Sequence, residues 1–307
     1  MEAIINPFEV ENASDFNTPY EYKLKITNFA NKTVDLVMTK IKHKIPVTRE
    51  AFKGMITSYP KTLTEDEKEE KRLENVRRSA TRAKQAVHHA VRSLGADHML
   101  TLHTRENIQD RAQFFTIFQR FVRLVREKDV SLVAGVPMLV ARKEKRVWGY
   151  VACSELQQRG AYHMHVACVG KQDLALLRAC WYVALGGNPS DKGSSVLGQV
   201  DVRYREKRFS GQTDVHKTFT LVSYMTKYIS KSFEDAAELG LRRYNASRSI
   251  PKPIVNKQFI WSSYHNNGGG FAEAATEVFA IANFLGVDVS TCWNRGEDIF
   301  ILRGVES

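Results

Sequence analysis

The stretch Gly160-Ala161-Tyr162-His163-Met164-His165-Val166-Ala167 limits this chain more tightly than any other. A β-strand sends successive side chains to opposite faces, so His163 and His165 point the same way, close enough to share one ion. The residues before it read as a strand over 146–154, and Gln158-Arg159-Gly160 reads as a three-residue hairpin loop in which Gly160 supplies the left-handed position. That loop sets a register. Gln157 then pairs with Ala161, Glu155 with His163, and Cys153 with His165. Directly opposed residues share a face, so Glu155, His163 and His165 converge as two imidazoles and a carboxylate. Three ligands from two neighbouring strands leave positions for water and substrate, the arrangement of a catalytic metal site. Gln157, on the same face, is a second candidate for the third ligand. A polar sheet face with a Glu–His ion pair accounts for the hairpin equally well when it is taken alone.

Composition narrows the partners. The 307 residues suit one large or two modest domains, and 43% hydrophobic with 10% aromatic residues suffices for a sizeable core. The 45 Lys+Arg against 34 Asp+Glu leave a formal charge of +11. That is the balance of a protein whose partner is a polyanion: nucleic acid first, an anionic membrane surface second. No apolar run reaches the roughly 20 residues that span a bilayer, and Met1-Glu2-Ala3-Ile4-Ile5-Asn6-Pro7 lacks a basic-then-apolar signal pattern, so a cytoplasmic protein is expected. Cys153, Cys168, Cys180 and Cys292 have no C-x-x-C spacing and read as buried thiols, without a zinc knuckle or a disulfide framework.

In chain order, Tyr20 to Ile26 alternates like a strand, within a segment over 1–75 whose role the sequence does not indicate. Thr62 and Glu65 fit a capping box, and the lack of Gly or Pro before Gly95 predicts one long helix. Its second half, Val76 to Lys84, is basic and reads equally as a solvated face or a DNA-backbone contact. His98 to Thr104 has strand period. A helix is expected from about Ile108 to Lys128, where Phe114, Phe115, Phe118, Phe121, Val122 and Val125 form a stripe assigned to the core. Pro137 to Arg142 reads as a strand, Asp173 to Ala184 as a helix, and Val196 to Tyr204 as a strand.

Tyr224-Met225-Thr226-Lys227-Tyr228-Ile229-Ser230-Lys231 is the second informative stretch. On a helix Tyr224 and Tyr228 lie one turn apart on one face, each followed three residues later by a lysine, Lys227 or Lys231. A phenol with pKa near 10 is a poor nucleophile at neutral pH, and using it calls for cationic neighbours and a metal-polarised electrophile. Half-buried core tyrosines with lysines reaching outward are the alternative reading.

Together these stretches resemble the HUH endonuclease superfamily, the rolling-circle replication initiators, and in particular the two-tyrosine branch typified by phage gene A proteins. The resemblance covers about 77–253. It rests on Leu100-Thr101-Leu102-His103 in place of a strand reading like L-T-L-T, on His163-Met164-His165 preceded by Glu155, and on Tyr224 to Lys231 as Y-x-x-K-Y-x-x-K. His103 stands where a threonine is common. Arg243 to Arg248 is also similar to a segment that follows the tyrosine helix.

The resemblance implies an α+β fold: a five-stranded antiparallel sheet flanked by helices, with the histidine strand central and the tyrosine helix across its metal face. It places an endonuclease domain at 76–253, with added segments at 1–75 and 254–307, the latter a helical extension after a stiff Ile250-Pro251-Lys252-Pro253 linker. Within that extension, Asn266 to Gly270 leads to a helix near Ala272 to Phe284, followed by a strand from Asp298 to Leu302. Mg²⁺ or Mn²⁺ on His163, His165 and Glu155 is implied, with Tyr224 and Tyr228 as nucleophiles and Lys227 and Lys231 steadying charge. Arg159, Arg105 and Arg248 are candidate DNA contacts. The implied activity is nicking of single-stranded origin DNA through a 5′-phosphotyrosine link, with Tyr228 making the first cut. A host helicase and DNA polymerase are the expected partners, and no membrane or nucleotide cofactor is. An HUH transposase or relaxase, or a non-catalytic DNA-binding protein, are the competing readings.

Overall fold

The computed structural model describes residues 20–41, 64–190, 197–204, 214–234, 243–261 and 270–307. In chain order the elements begin with β1 (Tyr20–Asn28), β2 (Thr33–Lys40), α1 (Glu65–Leu94), β3 (His98–Thr104), α2 (Arg111–Glu127), β4 (Lys128–Val133) and β5 (Val136–Ala141). They continue with β6 (Tyr150–Leu156), β7 (Tyr162–Cys168), α3 (Leu174–Ala184), β8 (Gly198–Tyr204), α4 (Asp214–Glu234) and β9 (Tyr244–Ala246). The last are β10 (Ile254–Trp261), α5 (Gly270–Phe284), β11 (Val287–Arg295) and β12 (Ile299–Glu306). The chain divides into two compact units, one of residues 68–252 and one formed by 1–67 together with 253–307.

The unit of 68–252 is built on an antiparallel sheet in the order β8-β3-β7-β6-β9, with the histidine strand β7 at its centre. Strand alternation gives the sheet two different faces. On one, Leu100, Leu102, Tyr150, Ala152, Met164, Val166 and Cys168 pack against the Phe114, Phe118, Phe121, Val122 and Val125 stripe of α2 and against α3. On the other, Met99, Val151, Cys153 and Ala167 pack against Val87 and Val91 of α1 and Leu221, Val222, Met225 and Ile229 of α4. The apolar positions of this second face end where Thr101, Glu155, His163 and His165 begin, so α4 crosses from core onto a polar surface.

The second unit holds a separate sheet, β10-β1-β2-β12-β11, antiparallel throughout. Ala274, Val278 and Ala282 of α5 cover one face of it, packing on Leu24, Ile26, Leu36, Met38, Phe300 and Leu302. Segments before and after the first unit in sequence therefore share one core.

Several local expectations meet the structure with differences that have physical causes. The long helix is present, but its capping box is Thr64 with Glu67: the Thr64 N–H donates to Glu67 Oε2 at 2.9 Å and the Glu67 N–H to Thr64 Oγ1 at 3.3 Å. Thr62 lies outside the described residues, as do Val196 and residues 266–269 of the glycine-rich segment. Strand β4, absent from the sequence reading, extends α2 directly and pairs with β5 as a hairpin. Cys153, Cys168 and Cys180 are buried free thiols, but Cys292 is exposed, because β11 is an edge strand and Cys292 pairs only with Leu302 of β12.

Candidate active site

The hairpin register places the candidate ligands. Glu155 pairs with His163 and Cys153 with His165, the Gln157 N–H donates to the Ala161 carbonyl at 2.9 Å, and Gly160 has φ +84°. The turn is anchored by Arg159, whose guanidinium donates to the carbonyls of Thr104 (2.6 Å) and Arg105 (3.4 Å) and to Gln157 Oε1 (3.0 Å). Arg159 thus ties the β6–β7 turn to the end of β3, and Gln157 is held by it.

His163 and His165 are each 5% exposed. His165 Nε2 donates to Glu155 Oε2 at 2.9 Å, and Thr101 Oγ1 lies 3.3 Å from its Nδ1, which fixes the tautomer with the proton on Nε2. Lys231 Nζ reaches the other Glu155 oxygen at 2.7 Å. Burial works to raise the Glu155 pKa, but the hydrogen bonds from His165 and Lys231 outweigh it and hold the carboxyl down at about 2. For His163, burial and then the neighbouring His103, His165 and Arg159 disfavour the cation, holding its pKa down at about 3. The pair is therefore an anionic carboxylate beside a neutral imidazole at neutral pH, the protonation states that metal ligands require.

Helix α4 lays its tyrosines over this face. The Tyr228 ring stacks on His165 with centroids 3.7 Å apart and an interplanar angle of 15°, and Tyr224 stands 6.2 Å from His165 and 4.9 Å from Tyr228, edge-on to both. Tyr228 is buried, and burial together with its hydrogen bond to Tyr224 pushes its pKa well above that of a free phenol. The one-turn spacing of the two tyrosines allows both to reach one imidazole. Lys227 is exposed on the helix, whereas Lys231, one turn on, is drawn to Glu155.

A cleft of about 600 Å³ opens beside the cluster, lined among others by His103, Arg105, Glu155, Arg159, His163 and Lys231. Arg105 and Arg159 therefore belong to the same cleft as the ligand set. Arg248 does not. It lines a second cleft of about 560 Å³ with Arg126, Lys145, Arg146 and Trp148.

One site residue was noted in sequence only as a departure from a motif. His103 Nδ1 lies 3.1 Å from His163 Nε2, and its own Nε2 is 3.1 Å from Asp201 Oδ2, whose other oxygen accepts from Gln199 at 2.7 Å. His103 is positioned by Trp181, whose Nε1–H donates to the His103 carbonyl at 2.9 Å, and by the close pass of Gly198, where a Cβ would sit 2.3 Å from that carbonyl oxygen. The strand period of 98–104 put His103 on the Thr101 face, but Asp201 on β8 was not readable as its partner.

Among the described residues, no three His, Cys, Asp or Glu side chains are gathered into a metal-holding group. The imidazoles and the carboxylate are instead bonded to one another and to His103 and Lys231. In donor chemistry, however, the set fits a divalent cation: an ionised carboxylate and two imidazoles on one face of adjacent strands.

A five-stranded antiparallel sheet with helices on both faces, and a paired histidine at its centre beneath a tyrosine helix, is an α+β, HUH-like architecture. Residues 97–233 match the family described as Replication-associated protein ORF2, so the chain contains a domain of this HUH family there, which supports a general role in initiating rolling-circle replication. The match spans β3 to α4, and with them every candidate ligand and both tyrosines. Comparison with curated proteins and with solved structures finds no match. Among the described residues no helix is long and apolar enough to cross a membrane.

Proposed function

We propose that the chain is a rolling-circle replication initiator of the two-tyrosine kind, which nicks one DNA strand by tyrosine transesterification and later rejoins the displaced strand. The observation that supports this most is the single cluster of Tyr228 stacked on His165, His165 bonded to Glu155, and Glu155 ion-paired to Lys231. A core reading of the tyrosines does not account for two buried imidazoles and a carboxylate directly beneath them.

In the proposed reaction the Tyr228 oxygen attacks phosphorus in line as its O–P bond forms. The P–O3′ bond breaks, and O3′ leaves with a proton as a free 3′-OH, giving a 5′-phosphotyrosine. Bond energy is conserved, so no nucleotide cofactor is needed. Mg²⁺ or Mn²⁺ held by His163, His165 and Glu155 would withdraw charge from the scissile phosphate. The residues of the chain do the rest. Arg105 and Arg159 at the cleft favour a phosphate there, and Lys231 and Lys227 offset the charge that develops on phenolate and phosphate. Tyr224, hydrogen-bonded to Tyr228, is placed to take the first phenol's proton or to make the second cut. A host helicase separates the strands and a host polymerase extends the 3′-OH.

The test is incubation with single-stranded origin oligonucleotide in Mn²⁺ or in EDTA. An SDS-resistant protein–DNA adduct is expected in Mn²⁺ alone; equal adduct in EDTA counts against the metal, and no adduct in either leaves only a DNA-binding protein. A transposase or relaxase of the same chemistry would give the same adduct, but on the ends of a mobile element or a transfer origin.

A further inference from the structure

The sheet β10-β1-β2-β12-β11 has one face covered by α5, and its other face carries an unusual set of side chains. Cross-strand register aligns them in rows. One row reads Phe259, Lys23, Thr39, Ile299 and Arg295; the next reads Lys257, Lys25, Val37, Ile301 and Trp293. The two rows contain four cations and no carboxylate.

Phe259 is 56% exposed and Trp293 54%. They stand on the two edge strands, four strand intervals of about 4.8 Å apart, or roughly 19 Å across the sheet. Lys23 Nζ lies 6.0 Å from the Phe259 ring centroid. Between the aromatics run Val37, Ile299 and Ile301, all half-buried. Large exposed aromatics on an open sheet work against solubility and need a reason.

A second observation points to the sign of the occupant. Lys25 and Lys257 are directly opposed across the β1–β10 pair. Like charges in that position destabilise a sheet, and both burial and Lys257 hold the Lys25 pKa below that of a free amine. Asp35, one row away on β2, is the carboxylate that offsets this in part, and it is shared with Arg303 at 3.7 Å. A local conflict of this kind marks a functional surface, and an anion lying over the two lysines resolves it.

We infer that this face is a second binding surface for single-stranded DNA, with Phe259 and Trp293 as stacking platforms and Lys23, Lys25, Lys257 and Arg295 tracking the phosphates. Alternating cations and exposed aromatics on a sheet suit a flexible strand, whose bases offer π-faces of any sequence. A folded acidic protein would not need the aromatics, and a lipid surface would favour a protruding apolar edge over a flat sheet. The choice of DNA as the polymer rests on the proposed nicking function, in which a displaced strand must be held while the cleft works on one phosphate.

The test uses the full chain and a bromodeoxyuridine-substituted single-stranded 20-mer (roughly one OB-fold-sized site), cross-linked by light and mapped by mass spectrometry. Cross-links are expected on peptides containing Phe259 or Trp293, apart from those on the segment 97–233. Lys25→Ala with Lys257→Ala should reduce the sheet cross-links at least about fivefold and the salt slope of binding by about 1.4, about 0.7 for each phosphate no longer neutralised. Because that pair repels, its removal should leave the melting temperature unchanged or raise it, which a structural role would not. Phe259→Ala with Trp293→Ala should lower affinity for the 20-mer by at least about fivefold. Absence of cross-links on β10 and β11, or sheet cross-links unchanged in the lysine variant, overturns the inference. So does lysine-dependent sedimentation with phosphatidylserine vesicles in place of DNA cross-linking. Adduct formation at saturating oligonucleotide should be unaffected in both variants. If wild type forms no adduct, the nicking function fails while the cross-links still decide this surface.

Discussion

At the scale of single residues, the site is a chain of paired charges whose protonation is set by burial. His163 is the clearest case. Its pKa falls from the ordinary 6.5 to about 3 in the fold, so between those values the unfolded chain binds a proton that the folded chain refuses. Stability must then rise with pH through that window and level off above 6.5. Moving from pH 7.5 to 5.5 in EDTA should cost the wild type about 1 kcal/mol from this group. Urea midpoints for wild type and His163→Gln would show it, the variant being flatter with pH. Glu155 behaves in the opposite sense of charge: with its folded pKa depressed from 4.5 to about 2, it stabilises above 4.5 and loses that contribution as pH falls toward 2. In Glu155→Gln the bonds to His165 and Lys231 lose their charge, so we expect a lower melting temperature at pH 7, no difference from wild type near pH 2, and loss of the Mn²⁺-dependent adduct.

At the scale of elements, the geometry depends on how closely β8 runs beside β3. Gly198 is needed there because the His103 carbonyl and the Trp181 indole fill the space a side chain would take. Gly198→Ala should destabilise by about 1–3 kcal/mol, measured by denaturant unfolding, and should shift the His103 ring resonances by NMR. This is also where sequence reading was strongest and where it stopped. β3 and the β6–β7 register were legible because alternation and a three-residue loop with a glycine leave few options. The apolar stripe of α2 was legible for the same periodic reason. The strands β4, β10 and β11 were not. β4 continues a helix without a break, and β10 and β11 are edge strands that carry exposed residues on both faces, so they lack the alternation that signals a half-buried strand. The Asp201–His103 pair was hidden because β8 and β3 are joined through distant sequence, and no local pattern encodes which residues they oppose.

At the scale of the whole molecule, the formal charge of +11 is used in more than one place. Arg105, Arg159 and Lys231 line the cleft beside the histidines, while Lys23, Lys25 and Lys257 lie on a different sheet in a unit with its own core. Residues 68–252 also have their own core on both faces of the β7-centred sheet. A fragment of those residues should therefore fold and still form the adduct, but it should bind long single strands more weakly than the full chain, as fluorescence anisotropy would report. The claim on which the rest depends is that a tyrosine of α4 becomes covalently joined to DNA. The most direct measurement is to trap the SDS-resistant adduct from a single-stranded oligonucleotide library in Mn²⁺, digest protein and DNA, and locate the modified residue by mass spectrometry. We predict a nucleotide on Tyr228, or on Tyr224 in the Tyr228→Phe variant, and none in the double variant Tyr224→Phe with Tyr228→Phe. A nucleotide on any other residue, or an undiminished adduct in the double variant, would contradict the assignment.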